Sequence, residues 1–316
     1  MVTISVAIPC YKSAKTIEKV VDNIRKVILS RENYDYQIIL VNDYPFDGTF
    51  DVIKKICEKD SKVIGINLSK NFGQTSAKMA AINYFSGDVL VYMDDDGQHP
   101  VEEIFKLTDK VLEGYDAVYA YFYNKKHSVF KKITSSINSK MLEVIGTKPK
   151  GVHYSSFYAL SKFAAKSYLK YKSPFPSMGG YLNSISGSVT EVKMQHKERM
   201  EGKSNYSLKK LLKLWLTGFT NFSIIPLRIV ATLGIIFSVI GIISGVAIVI
   251  QKLIIPSIAA GYTSNMAVQF FMGGLILFSL GFIGEYIGRI YMTLSNLQQY
   301  MIRDVINGER IDDSEI

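Results

Sequence analysis

Ile229 to Ile250 reads IVATLGIIFSVIGIISGVAIVI, without one charged residue. At about 1.5 Å of rise per residue this run crosses a hydrocarbon layer of about 30 Å, so it predicts a transmembrane helix. Working outward, Met266 to Gly284 reads MAVQFFMGGLILFSLGFIG, again uncharged, and the helical pattern continues through Glu285 and Arg289. Those two are spaced i, i+4 and suit an ion pair at the membrane boundary. Gln251 to Asn265, with Lys252 as its one charge and Pro256 and Gly261 as turn formers, reads as a short external loop. Arg228 and a basic cluster precede the first span, and Arg289 and Arg303 follow the second. The positive-inside bias therefore puts both termini in the cytosol.

The remaining sequence reads as a soluble domain. The 316 residues carry 37 Lys+Arg against 28 Asp+Glu, a formal charge of +9, and 48% are hydrophobic. This composition excludes a disordered or low-complexity chain. Cys10 and Cys57 lack Cys-x-x-Cys or Cys/His company, which excludes a disulfide scaffold or zinc site and leaves two reduced core residues. The opening MVTISVAIPCYK has no basic n-region and no cleavage site, so it reads as a strand and not as a signal peptide. Residues 2–8, 37–41, 63–68, 88–93 and 117–121 are β-branched or aromatic runs bounded by turn formers, hence strands. Between them Ile17, Val20, Val21, Ile24 and Ile28 repeat at helical spacing, as do Val52, Ile53, Ile56 and Cys57. Strand and helix in alternation imply an α/β fold with a mostly parallel, Rossmann-like sheet, whose ligands lie at the carboxyl ends of the strands.

The residues just after those strands are the candidates. Asp43 suits a base or ribose hydroxyl, with a turn role equally open, whereas Asp47 reads as a cap. Asp94-Asp95-Asp96-Gly97-Gln98-His99-Pro100 follows the fourth strand. Three adjacent carboxylates repel one another unless a cation or hydrogen-bond donors neutralise them. Asp94 and Asp96 alternate, so both can offer oxygen to one hard divalent ion, Mg²⁺ or Mn²⁺, that also takes diphosphate oxygens. His99 reads as a loop residue and not as a ligand, because such an ion prefers oxygen. His127, His153 and His196 are isolated, and the tyrosines from Tyr115 to Tyr123 read as strand packing. Gly234, Gly241 and Gly245 would let the spans approach closely.

The ordered set IPCYKSAKTI, VNDYPFDGT, LSKNFGQTSA, VYMDDDGQHPVEE and HKERMEGKSNYSLKKLLKLW, followed by two spans, resembles glycosyltransferase family 2. Within it the chain is similar to the polyprenyl-phosphate glycosyltransferases over about its whole length. The resemblance implies a GT-A fold, a divalent metal, and inverting transfer of a sugar from a nucleotide diphosphate sugar to a lipid phosphate. It implies a UDP-hexose ahead of GDP-mannose, and homo-oligomers occur in the group. Carried over by position, Pro9, Tyr11, Asp43, Lys70, Asn71, Gly73, Asp94 and Asp95 would bind the nucleotide sugar. Asp94, Asp96 and Gln98 would lie at the metal, and Arg199, Lys203, Ser204 and Tyr206 at the lipid phosphate. Asp94, Asp96 and Arg199 would then be the catalytic set. Two departures stand out. Many relatives have an acidic residue followed by Phe-Arg where this chain has Ser155-Ser156-Phe157-Tyr158, and an Arg after the fifth strand is replaced by Tyr121 to Lys126. The first loss is chemically tolerable: a phosphate monoester with a second pKa of about 6 is already largely a dianion near neutrality and needs no general base.

Lys193 to Lys213 holds seven basic residues against Glu198 and Glu201. Leu208, Leu211, Leu212, Trp215, Leu216 and Phe219 share one helical face, so this segment reads as an interfacial amphipathic helix attracting anionic headgroups. Its position before two spans excludes nucleic acid as the partner. The organisation expected is a cytosolic GT-A domain over 1–198, a basic juxtamembrane segment over 199–225, spans at about 229–250 and 266–288 within 226–291, and a cytosolic tail over 292–316. The protein would be an integral protein of a bacterial inner or plasma membrane, making a lipid-linked monosaccharide for cell-envelope glycans. A processive synthase would carry Gln-x-x-Arg-Trp, whereas the lone Trp215 follows Leu212-Lys213-Leu214. A non-catalytic membrane-anchored nucleotide-sugar-binding accessory protein, or a transferase with another lipid or glycan acceptor, remains the alternative.

Overall fold

β1 (Val2–Cys10) pairs in parallel with β2 (Tyr34–Asn42) on one side and β4 (Val89–Tyr92) on the other, and β2 pairs in parallel with β3 (Val63–Leu68). The computed structural model describes residues 1–44, 46–123, 140, 143, 148–174, 176–195, 225–254, 261–295 and 297–309. The connections are helical: α1 (Ile17–Leu29), α2 (Thr49–Lys59) and α3 (Gln74–Ile82), with α4 (Ile104–Leu112) entered through a 3₁₀ turn at Val101–Glu103. Side chains alternate across a strand, so β1 feeds two cores. Ile4, Val6 and Ile8 join the cluster containing Val20, Val21 and Ile24 of α1, and Ala7 joins the one containing Ala77, Ala80 and Ala81 of α3.

Four further strands, β5 (Ala117–Tyr123), β6 (Tyr158–Ser161), β7 (Val189–Gln195) and β8 (Ile302–Ile306), complete an eight-stranded sheet in the order β7-β5-β6-β4-β1-β2-β3-β8. β6 runs antiparallel to both β4 and β5, and β7 lies parallel to β5. α5 (Lys162–Ser167), capped by Ser161 Oγ accepting from Ala164 N–H, and α6 (Met178–Ile185) lie between β6 and β7.

The stretch after the second span is more than a tail. Ile302–Ile306 forms β8, antiparallel to β3. Ser69 N–H donates to Met301 O at 2.9 Å, Asn83 Nδ2 to Tyr300 Oη at 2.6 Å, and Asn67 Nδ2 to Asp304 Oδ2 at 2.9 Å. The physical reason is the open edge of β3, whose backbone groups would otherwise lack a strand to pair with. The chain accordingly divides into one unit of Met1–Phe222 with Gln298–Ile316 and another of Ser223–Leu297.

The second unit is a helical hairpin of α7 (Ile225–Ile254) and α8 (Tyr262–Leu294), each longer than the apolar run that announces it. Leu227–Ala247 and Phe271–Leu294 are long and apolar enough to cross a membrane. Phe237 meets Phe271 edge-on with ring centroids 5.5 Å apart, and Arg289 Nη2 pairs with Glu285 Oε1 at 2.7 Å. Gly234, Gly241 and Gly245 do not mark a close approach, because an added Cβ at each meets nothing within 4 Å. The interfacial segment, with Arg199, Lys203, Ser204, Tyr206 and Trp215, lies outside the described residues.

Gly65 of β3 is a close-packed point: an added Cβ would sit 2.7 Å from Ile53 Cγ2 and 3.0 Å from Cys57 Sγ, both buried on α2. Gly65→Ala is expected to destabilise the sheet unit by about 1–3 kcal/mol through overpacking, read as a lower thermal midpoint in detergent. Gly187→Ala, where an added Cβ meets nothing within 4 Å, is expected to leave the midpoint unchanged.

Candidate active site

The carboxyl ends of β1, β2 and β4 converge, together with the loop between β3 and α3. Leaving β1, the backbone turns sharply at Lys12, which adopts φ 59°, a left-handed value unusual for a non-glycine residue. The turn is held from below by Asp95. Its Oδ2 accepts the Tyr11 N–H at 2.9 Å and the Ser13 hydroxyl. Burial pushes the Asp95 carboxyl up, opposed by the Ser13 and Tyr11 hydrogen bonds. The exposed Tyr11 ring stands 5.2 Å from Tyr44, with Lys12 Nζ 5.1 Å over the Tyr44 ring. Two aromatic faces beside an ammonium offer a planar base a stacking surface and phosphate a counter-charge.

Asp43 forms the inner wall. Its Oδ1 accepts Phe72 N–H at 2.7 Å and its Oδ2 accepts Gly73 N–H at 2.8 Å, tying the end of β2 to the loop before α3. Burial nevertheless dominates and raises its pKa to about 6. Gly73 adopts φ 92° and ψ 157°, a conformation open essentially to glycine, so its contribution is the shape of this loop. Lys70 Nζ lies 5.1 Å over the Phe72 ring, and Asn71 is exposed between them. Pro9 is buried in the last turn of β1, opposite Val41. Asp47 has the capping role its sequence suggests, accepting Thr49 N–H at 3.0 Å and Thr49 Oγ1 at 2.8 Å.

Asp94 lies two residues beyond β4 and is gripped from two sides. Gln74 Nε2, on the first residue of α3, donates to Oδ1 at 2.6 Å, and Ser156 Oγ, before β6, donates to Oδ2 at 2.6 Å. Neither partner is visible in the sequence as a site residue, although Ser156 sits inside the departure noted above. His99 is the other addition. Its Nδ1 accepts the Asp94 N–H at 3.0 Å, which places the ring proton on Nε2, 3.3 Å from Ser156 Oγ. The ring is buried and stacked on Phe157 at 4.9 Å. His99 is therefore no passive loop residue: both nitrogens orient the acidic turn. Asp96 Oδ1 accepts Gln98 N–H at 3.1 Å.

The structure thus brings together Tyr11, Asp43, Gly73, Asp94, Asp95 and Asp96 around one mouth. Cys10 and Cys57 are both free and buried, with thiols pushed up by burial, Cys57 to about 11. Neither is a nucleophile at neutral pH. His153 pairs with Glu191 on the surface at 3.0 Å.

Comparison with known proteins fits this geometry. A family described as Glycosyl transferase family 2 matches residues 5–172, and one described as GtrB C-terminal hairpin matches residues 225–290. An undecaprenyl-phosphate 4-deoxy-4-formamido-L-arabinose transferase of Yersinia pestis (strain Pestoides F) is 30% identical over 317 residues, covering 99% of this chain and 96% of that one. An uncharacterized glycosyltransferase of Bacillus subtilis (strain 168) is 29% identical over 300 residues, 95% of this chain and 93% of that one. Among solved structures, glucosyl-3-phosphoglycerate synthase from Mycobacterium tuberculosis in complex with uridine diphosphate aligns with a TM-score of 0.47 and 18% identity, over 69% of this chain and 80% of that one. Mannosyl-3-phosphoglycerate synthase from Rubrobacter xylanophilus aligns with a TM-score of 0.48 and 15% identity, over 68% and 71%. With one family spanning more than half of the chain and a relative aligned along nearly all of it, the protein is a membrane-anchored glycosyltransferase, and the chain belongs to glycosyltransferase family 2.

Proposed function

We propose that the protein transfers a sugar from a nucleotide diphosphate sugar, a UDP-hexose, to a polyprenyl phosphate in one inverting displacement. The observation that carries this reading is the acidic turn after β4, tied through Asp94 to Gln74 of α3 and through Asp95 to the Tyr11 turn after β1, in a chain that also holds two membrane-length helices. Tyr11, Asp43, Lys70, Asn71 and Asp95 hold the nucleotide, with Pro9 and Gly73 shaping the loops around it. Arg199, Lys203, Ser204 and Tyr206 take the lipid phosphate, Arg199 as a planar fork suited to two oxygens. Two membrane-length helices in succession would return the chain to the side from which it started. The Lys/Arg bias makes that side the cytosol.

The acceptor phosphate oxygen attacks the anomeric carbon of the sugar. The new C–O bond forms as the bond from that carbon to the diphosphate breaks, and the electron pair departs with the nucleoside diphosphate. The acceptor is a dianion near neutrality, so the absence of a carboxylate at Ser155 and Ser156 removes nothing the step needs. Asp94 and Asp96 are hard oxygen donors suited to Mg²⁺ or Mn²⁺, with Gln98 alongside. Asp94, Asp96 and Gln98 are the residues that would hold such an ion. When bound, the ion stabilises the charge that grows on the leaving diphosphate. The product is a polyprenyl-phosphate-linked monosaccharide for cell-envelope glycan modification.

The test is transfer from a panel of radiolabelled UDP-, GDP- and dTDP-sugars to undecaprenyl phosphate in detergent with Mg²⁺ or Mn²⁺. A lipid-linked product that requires the metal and disappears in Asp96→Ala is expected. Nucleotide release or donor binding without any lipid product would overturn the acceptor assignment.

Asp43 adds a pH signature. A hydrogen bond donated by a nucleotide is stronger to the ionised carboxylate than to the neutral acid, and burial brings the Asp43 pKa to about 6. UDP affinity is therefore expected to be flat above pH 7 and to fall as pH drops through 6. The nucleotide's own phosphate protonates in the same range, so the measurement is paired with Asp43→Asn. That variant should bind more weakly at pH 7.5 and lose the part of the pH dependence that belongs to the protein.

A further inference from the structure

Lys78 is a buried cation that the reaction as described so far leaves unused. It is 7% exposed, and its ammonium lies 5.2 Å from the centre of the Tyr92 ring and 4.8 Å from that of Tyr158. Among the described residues no hydrogen-bond acceptor is recorded for Nζ. Nor is it one of the fully sealed side-chain atoms that lack a hydrogen-bond partner, which among the described residues are Arg25 Nη2 and Asn42 Oδ1. A buried ammonium held by two ring faces, with no hydrogen-bonded anion, has three N–H bonds to offer.

Three local periodicities say where that ammonium lies. Lys78 is four residues after Gln74, so both lie on one face of α3, and Gln74 binds Asp94. Tyr158 is two residues after Ser156, which binds the other oxygen of Asp94. Tyr92, the last residue of β4, is two residues before Asp94, and it pairs in register with Tyr158. Lys78, Tyr92 and Tyr158 are thus a second layer directly under Gln74, Asp94 and Ser156. Burial lowers the Lys78 ammonium to about 8 and the charge of Asp94 opposes that shift, so the charged form still predominates at pH 7.

We infer that Lys78 binds a phosphate oxyanion of the reaction from beneath Asp94, either the diphosphate of the donor or the monophosphate of the acceptor. The inference rests on the transferase reading above, and the two phosphate sources differ in which ligand loses affinity. A lysine suits this place because its compact ammonium reaches between two rings where, among the described residues, no carboxylate pairs with it.

The test uses the full-length protein in detergent and measures affinity for UDP and for undecaprenyl phosphate separately, before any turnover, in wild type, Lys78→Met and Lys78→Arg. Loss of one charged hydrogen bond corresponds to at least about a tenfold weakening. The expected result is that Lys78→Met weakens one of the two ligands by that factor while Lys78→Arg recovers most of it, with thermal midpoints close to wild type. A loss on UDP places the ammonium at the leaving diphosphate, and a loss on undecaprenyl phosphate places it at the acceptor. Should Lys78→Met fail to fold, Lys78→Gln, which keeps a polar end without the charge, carries the same comparison. Unchanged affinity for both ligands, or a loss that Arg does not recover, would overturn the inference. A wild type that binds UDP but makes no lipid product would instead sink the acceptor reading and leave Lys78 to be judged on UDP alone.

Discussion

The two hydrogen bonds on Asp94 are the constraint around which the catalytic end of the sheet is arranged. Gln74 and Ser156 come from opposite flanks, the start of α3 and the approach to β6, and each donates at 2.6 Å. A carboxylate fixed at both oxygens has little rotational freedom left, and short bonds to an ionised acceptor are the strong ones. His99 completes the grip by accepting the Asp94 N–H and packing against Phe157. The acidic turn is therefore held by the protein's own groups, the kind of arrangement that the transfer proposed above calls for, since fixed groups need no reorganisation during the step.

Beneath that turn the sheet carries a row of tyrosines. Tyr92, Tyr158 and Tyr119 follow one another across β4, β6 and β5 with centroids 5.0 Å apart, and Tyr154 continues the row at 4.8 Å from Tyr119. Burial pushes the hydroxyls of Tyr92, Tyr119 and Tyr158 well up, so they stay neutral donors. Tyr92 Oη donates to Lys78 O at 2.9 Å, and Tyr158 Oη to Met178 Sδ at 3.3 Å. A rigid aromatic floor explains how one lysine stays inside a core with no hydrogen-bonded carboxylate among the described residues: ring faces supply part of the attraction that water no longer provides.

The parallel half of the fold was legible because its strands are continuous β-branched runs, buried on both faces and separated by helices with clear apolar periodicity. VTISVAI and VIGINL can hardly be read otherwise. β6 was hidden by its length, four residues of YALS, and β7 by alternation of Val and Met with Thr, Glu, Lys and Gln at a sheet edge. Asp43, Asp94 and Asp96 were legible as strand-end residues, the positions to search in an open α/β sheet. Gln74, Ser156, His99 and Lys78 were not, since each acquires its role from a partner distant in sequence. The residues around 158 recorded the loss of an arginine. Nothing local announced that a lysine from α3 would stand over the same ring.

β8 shows a different reason for illegibility. IRDVI is an ordinary strand motif, but it follows a membrane hairpin, and its bond from Asn67 to Asp304 spans a separation of 237 residues. Closing so long a loop adds slowly growing entropy, whereas the order of events is set by synthesis. β1 to β7 are complete before the hairpin is made, and β3 stays an edge until Ile302 to Ile306 emerges. The Asn42–Asn67–Asp304 line, with Asn42 Nδ2 donating to Asn67 Oδ1 at 2.9 Å, then continues a polar contact from the end of β2 to the new strand. Pairing is thereby specified by side chains as well as by backbone, which an edge strand of five residues requires if it is to recognise one partner and no other.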